Sequence, residues 1–260
     1  MAFINNINPV LFSLGSLEIR FYGLVYVLGA IVGLLVLLYY QKKGKIDLTK
    51  DEVWDFVFWL MVGLVVGARL FAVVFFSPGF YFTNPLEIFK VWKGGMSFHG
   101  GVVGLIVVGY IYARKKKLDF WKLADMIAIP GIIVAGLGRL ANFTNSEFYG
   151  TATNLPWCVV FKKIDDVCRH PYQIYSFFQR VVLGGALAWI YRKDRKPGFI
   201  FWLMILFEGI GRILVDTVRV ESKFLYLSMG QWLSVVMAVV AIVVLIKWYR
   251  KELKNLISFR

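Results

Sequence analysis

Seven long apolar runs separated by polar stretches organise this sequence. The first covers about residues 21–40 and stops at Gln41, Lys42, Lys43, Gly44 and Lys45. The second covers about 53–76 and is ended by Ser77, Pro78 and Gly79. A loop to Gly95 follows, with Pro85 and a short interfacial helix carrying Trp92. The third run starts near Met96 and ends at Arg114, Lys115, Lys116 and Lys117. The fourth covers about 123–141, with a kink expected at Pro130-Gly131. Residues 142–171 are polar and irregular and are expected to form a small cap. The fifth run covers about 174–191 and ends at Arg192, Lys193, Asp194, Arg195 and Lys196. The sixth covers about 199–215, and a short loop with Asp216, Arg219 and Glu221 follows it. The seventh covers about 228–246 and leads into the basic tail Lys247-Trp248-Tyr249-Arg250-Lys251.

Such runs match the roughly 20 residues needed to cross a ~30 Å hydrocarbon core. Composition agrees: 59% of the 260 residues are hydrophobic and the mean hydropathy is +0.66, above the soluble norm. The expected fold is an all-α integral membrane protein with seven transmembrane helices. Residues 1–260 form a single domain, with an extracytoplasmic cap at about 142–173. The formal charge of +14 would raise nucleic-acid binding in a soluble protein. Here the basic residues lie beside the apolar runs, so the positive-inside rule accounts for them and no nucleic-acid partner is expected.

Topology follows from the same charges. Basic runs end spans one, three, five and seven, whereas the other loops mix fewer basic residues with acids. The N-terminus is therefore expected outside and the C-terminus in the cytoplasm. No Lys or Arg precedes the apolar residues of 1–17, so this stretch does not read as a cleavable signal, and the first span serves as an uncleaved one.

That topology brings scattered polar groups to one side of the membrane. His99 lies near the outer start of span three, Arg139 and Asn142 at the outer end of span four, and Arg212 and Asp216 at that of span six. Glu147 and His170 flank the cap, Arg69 is in the outer half of span two, and Tyr26 is just inside the outer end of span one. A charged guanidinium at such a boundary needs a partner or a ligand. Arg139 and Asn142 share a helix face if the helix persists, and arginine holds phosphate through two parallel bonds. The bland alternative is an arginine snorkelling to lipid phosphates. Gly136 and Gly138 would allow close approach.

Other residues carry similar pairs of readings. Arg212 and Asp216 are spaced to pair within a helix, and Glu208 could reach Arg212 from the preceding turn. His99 sits among Gly94, Gly95, Gly100 and Gly101. It suits proton transfer from a thiol, or it caps a helix beside a Gly100/Gly104 packing face. His170 reads as orienting the cap. Glu147 and Asn145 bond within the cap or contact substrate. Arg69 is divided between ion pairing and substrate contact. Asp125 reads as a charge near the N-terminus of its own helix. Cys158 and Cys168 form no CxxC pair and the two histidines are far apart, so no metal or cofactor is expected. The cysteines pair if their compartment is oxidising, and otherwise stay free.

The segment Gly138-Arg139-Leu140-Ala141-Asn142-Phe143-Thr144-Asn145-Ser146-Glu147-Phe148-Tyr149-Gly150 resembles the signature of the bacterial prolipoprotein diacylglyceryl transferases. Gly94 to Gly101 and Arg169 to Tyr175 are similar to two further blocks of that family. The resemblance implies an enzyme of the bacterial inner membrane. It moves a diacylglyceryl group from phosphatidylglycerol to the lipobox cysteine in a prolipoprotein signal peptide, and glycerol phosphate leaves. By position it implies essential roles for Tyr26, His99, Arg139, Asn142, Glu147, Gly150 and Arg212. The chain departs from the family at Asp216, where glutamate is common, at Ser176, where glutamate often follows the tyrosine, and at Glu208, often a tyrosine.

On this reading His99, Arg139 and Arg212 are catalytic. Tyr26, Arg69, Asn142, Glu147, Gly150 and Asp216 bind or position the lipid. An anion transporter or channel would instead place polar groups through the whole membrane depth. A lipid-binding scaffold would need the arginines but not His99.

Overall fold

A computed structural model describes residues 2–14 and 17–257; Met1, Gly15 and Ser16, within the N-terminal stretch discussed above, lie outside the described residues. The chain opens with β1 (Phe3–Asn5), β2 (Val10–Leu14) and β3 (Leu17–Arg20). Then come α1 (Phe21–Lys42), α2 (Lys50–Phe75) and the short α3 (Pro78–Thr83). Two 3-10 turns lead to α4 (Phe98–Lys115) and α5 (Phe120–Asn145). β4 (Val159–Phe161) and β5 (Cys168–Arg169) precede α6 (Tyr172–Ile190) and α7 (Phe199–Val215). β6 (Lys223–Phe224) and β7 (Leu227–Ser228) precede α8 (Met229–Trp248) and α9 (Arg250–Ile257).

The protein is a mostly helical, multi-pass membrane protein. Four helices, α1, α2, α5 and α8, are long and apolar enough to cross a bilayer by themselves. The others are shorter or more polar. α7 has 17 residues, about 25 Å at 1.5 Å per residue, and α6 carries Gln173, Gln179 and Arg180.

Two compact units divide the chain: Met1–Ile31 with Ala124–Arg260, and Val32–Leu123. In the second unit, α2 starts with a capping box between Thr49 and Glu52. It packs on α4 along glycines. A Cβ added at Gly104 would lie 2.0 Å from the Gly63 carbonyl oxygen, and one at Gly67 would lie 2.4 Å from that of Gly100. The two backbones touch, and only glycine fits there. The Tyr112 hydroxyl donates to the Glu52 carbonyl at 2.8 Å, and Lys116 pairs with the Glu52 carboxylate at 2.6 Å.

The first unit holds a three-stranded sheet in the order β1-β4-β5. β1 runs parallel to β4, and β4 antiparallel to β5. A disulfide joins Cys158 and Cys168, whose Cα atoms are 5.4 Å apart. The helical core brings Ile132 of α5, Leu183 and Leu187 of α6, Ile200 and Leu203 of α7, and Leu245 of α8 together. Dispersion and shape fit hold such a core in lipid, because the tails outside are as apolar as the packed side chains.

Three expectations change here. α5 runs unbroken through Pro130 and continues past Ala141 to Asn145, so Asn142 to Asn145 are helical rather than irregular. Asp125 is buried inside the unit and serves a different helix from its own. Its carboxylate accepts from the Gly198 and Phe201 amides at 2.7 and 2.8 Å, capping α7, whose N-cap Gly198 has no side chain to do so. Glu208 turns away from Arg212 and pairs with Arg180 on α6, while Gln179 donates to its second oxygen at 3.2 Å.

Candidate functional site

The site in the first unit starts from how α5 ends. The Ser146 amide bonds to the Phe143 carbonyl at 3.1 Å and the Glu147 amide to the Asn142 carbonyl at 2.9 Å. These two bonds make a Schellman motif with Ser146 left-handed at φ 60°. Phe148 is left-handed as well, at φ 54°. Two non-glycine residues in that region cost of order 1–3 kcal/mol each, and they fold Glu147 back over its own helix. Asn142, 1% exposed, then donates through Nδ2 to Glu147 Oε2 at 2.8 Å and to the Tyr22 hydroxyl at 3.0 Å. Asn145 holds the other carboxylate oxygen at 3.1 Å, and Gln173 donates to the Glu147 carbonyl at 2.6 Å.

Asp216 organises the second half. It is 1% exposed and accepts from the Tyr172 hydroxyl at 2.5 Å. Its other oxygen lies 3.5 Å from Arg212 Nε and 3.9 Å from Arg219 Nη1. Arg219 also pairs with Glu221 at 3.2 Å. A Cβ at Gly230 would come within 2.8 Å of Arg212 Nη2, so glycine there leaves the guanidinium its room.

Arg139 lies over two aromatic rings, 5.7 Å from the Phe148 centroid and 6.0 Å from that of Tyr172. Arg219 covers the same rings at 4.6 and 5.6 Å. Among the described residues, Arg139 has no carboxylate partner. Its one polar contact is a 3.5 Å approach to Asn142 Oδ1. Arg180 and Arg212 are near enough to act on it electrostatically. A part-buried guanidinium with most of its donors unused and like charges nearby is a ready anion site.

The family profile described as "Prolipoprotein diacylglyceryl transferase" matches residues 9–247. The chain belongs to this family. A phosphatidylglycerol–prolipoprotein diacylglyceryl transferase of Geobacter sulfurreducens is 42% identical over 88% of the chain and 90% of that protein. A Vibrio cholerae protein of the same name is 37% identical over 95% and 94%. One from Rickettsia rickettsii is 40% identical over 89% and 93%.

Of the residues singled out in this transferase-family sequence, the first unit brings Arg139, Asn142, Glu147, Arg212 and Asp216 together. Tyr26 is exposed and its ring packs 6.1 Å from Tyr22; Tyr22, one turn earlier, makes the bond to Asn142. Gly150 is buried in a bridge to Arg219, and a Cβ there would lie 2.4 Å from the His170 carbonyl oxygen. Its contribution is steric. His170 touches the Tyr175 hydroxyl through Nδ1 at 3.2 Å. Gly136 lies against Arg180 and Phe177 on α6, whereas Gly138 faces open space.

Arg69 and His99 belong to the second unit. His99 is exposed on the first turn of α4, beside Phe98. Arg69 is 5% exposed, and its guanidinium is engaged with backbone carbonyls. Sequence reasoning passed over Tyr22, Phe148, Tyr172 and Arg219. The i, i+4 spacing of Tyr22 and Tyr26, and the position of Tyr172 inside a family block, were the signals available.

Proposed function

We propose that this chain transfers the diacylglyceryl group of phosphatidylglycerol to the lipobox cysteine thiol of prolipoproteins, the first step of bacterial lipoprotein maturation. It crosses the cytoplasmic (inner) membrane seven times, N-terminus outside and C-terminus in the cytoplasm. The site opens toward the extracytoplasmic face. The basic runs closing alternate spans support this orientation, and the names of the relatives support both substrates.

The observation that carries the chemistry is Arg139, charged, half-buried and without a carboxylate partner among the described residues. The lipid phosphate binds it together with Arg212. A thiol with an ordinary pKa of about 8.5 must lose its proton to attack well, and His99 takes that proton. Sulfur then bonds to the glyceryl carbon next to the phosphate. The carbon–oxygen bond breaks, and its electron pair goes to the phosphate oxygen. Glycerol phosphate leaves and a thioether remains. The two arginines stabilise the charge that grows on the leaving group. Asn142, Glu147 and Tyr26 position the head group, Asp216 holds Arg212, and Gly150 keeps the loop against His170. Arg69, expected among the lipid-binding residues, has its donors on backbone carbonyls, and we assign it to holding the segment before α4 instead.

Incubation with phosphatidylglycerol and a lipobox peptide, followed by mass measurement, tests the reaction. Absence of a diacylglyceryl adduct overturns it. Full lipid binding by Arg139→Ala overturns the phosphate role. Full turnover by His99→Gln removes His99 as the base.

A further inference from the structure

Residues 78–95 form a strap between α2 and α4 whose own bonds are short-range, such as Asn84 to the Phe80 carbonyl and Lys90 to Glu87. Neither α3 nor the following 3-10 turn (Pro85–Phe89) buries a side chain. Phe82, Leu86, Phe89 and Trp92 are each at least 71% exposed. What the strap does have is Arg69 beneath it. Nε donates to the Ile88 carbonyl at 2.8 Å, Nη1 to those of Gly94 and Gly95, and Nη2 to those of Glu87 and Lys90. All five N–H groups of one guanidinium are therefore spent on five carbonyls of one segment. The Tyr81 ring covers the same group, its centroid 5.0 Å away.

The clamp leads directly to the start of α4. Gly94 and Gly95 are both left-handed, at φ 85° and 71°. A Cβ on Gly95 would lie 2.9 Å from Arg69 Nη1 and 3.0 Å from the Tyr81 hydroxyl. The Ser97 amide then returns to the Ala68 carbonyl at 3.0 Å, next to Arg69 in the chain. Ser97 caps α4 through the Gly100 amide at 3.4 Å, and His99 sits within that first turn. The imidazole makes no hydrogen bond of its own among the described residues, so backbone placement is what aims it.

We infer that Arg69 is a positioning residue that fixes His99 by clamping the Gly94–Gly95 turn from which α4 starts. This rests on the reading of His99 as the thiol base. Steady-state kinetics of Arg69→Gln and Arg69→Lys in the full-length membrane protein test it, with limited proteolysis of the strap as a second readout. The expected result is a fall in kcat of about 10²-fold, the scale of a misplaced catalytic group, with KM for phosphatidylglycerol unchanged and the strap newly cleavable. Lysine, with three donors on a point charge, does not restore the rate. Gly95→Ala, which pushes on the clamp with Arg69 intact, gives the same pattern. In a His99→Gln background, Arg69→Gln causes no further loss.

A raised KM with kcat intact would make Arg69 a substrate contact. Wild-type kcat and cleavage pattern in Arg69→Gln, full rescue by lysine, or additive losses in the double variant each overturn the positioning role. Full turnover by His99→Gln alone sinks the base reading, and with it any action of Arg69 through His99.

Discussion

Two arginines on α2 and α5 look alike in sequence and differ in what surrounds them. Arg69 follows Gly67 and Ala68, Arg139 follows Gly138, and both precede leucine. Arg69 spends all five donors on carbonyls of its own unit. Among the described residues, Arg139 has one polar contact, at 3.5 Å, and two aromatic faces. Burial and charge are common to both, so neither marks the site. On the proposed function, donors left without acceptors distinguish the residue that would take the lipid phosphate from the one that holds a fold together.

The strongest way to break that comparison is to truncate each arginine and read two properties. Arg139→Ala is expected to cut turnover by about 10²–10³-fold, the loss typical of a transition-state donor. Its thermal stability in detergent stays near wild type, because no partner is stranded. Arg69→Ala is expected to lower unfolding free energy by about 3 kcal/mol as carbonyls lose their donor, measured by denaturation in the same detergent. Equal stability losses in the two variants would erase the distinction.

Asp216→Asn sharpens the arginine side of the site. Removing the charge that Arg212 and Arg219 share is expected to lower kcat/KM about tenfold, the scale of one charge-assisted bond. Ser146→Gly tests the turn that carries Glu147. Ser146 is buried and left-handed, and its hydroxyl has no partner among the described residues. Glycine there is expected to raise stability by about 1 kcal/mol, seen as a higher melting temperature.

The smallest effect concerns pH. Bonding to Arg169 holds the Asp165 carboxyl below its ordinary range. A lowered folded pKa means the contact stabilises above the unfolded value, near 3.9, and is lost as pH falls through the folded value. Asp165→Asn is expected to flatten that acid limb in a stability-versus-pH series; an unchanged limb would assign it to other carboxylates.

The apolar runs located every long helix to within a few residues, because lipid imposes a length that composition alone reveals. Contacts between distant residues were hidden. β1 pairs with a strand more than 150 residues away, and three residues carry no periodicity. Residues 142–145 looked like loop because they are polar, yet the Thr144 hydroxyl bonds to the Ala141 carbonyl at 2.8 Å and the turn closes behind them. Glu208 was matched to Arg212 on its own helix, while the better partner stood across on α6. At the site, residue types and spacing picked out Arg139, Asn142, Glu147, Arg212 and Asp216. They could not show Tyr172 bridging to Asp216 across 44 residues.

The capping of α7 by Asp125 bears on the order in which the chain assembles. Gly198 offers α7 no side chain of its own, and the missing acceptor lies 73 residues earlier, on α5. During synthesis α5 emerges first, and the two α7 amides that its carboxylate holds follow 73 and 76 residues later. The first turn of α7 closes only when the two helices dock. A chain halted before residue 198 would therefore lack both amide donors, Gly198 and Phe201, that Asp125 holds in the finished molecule.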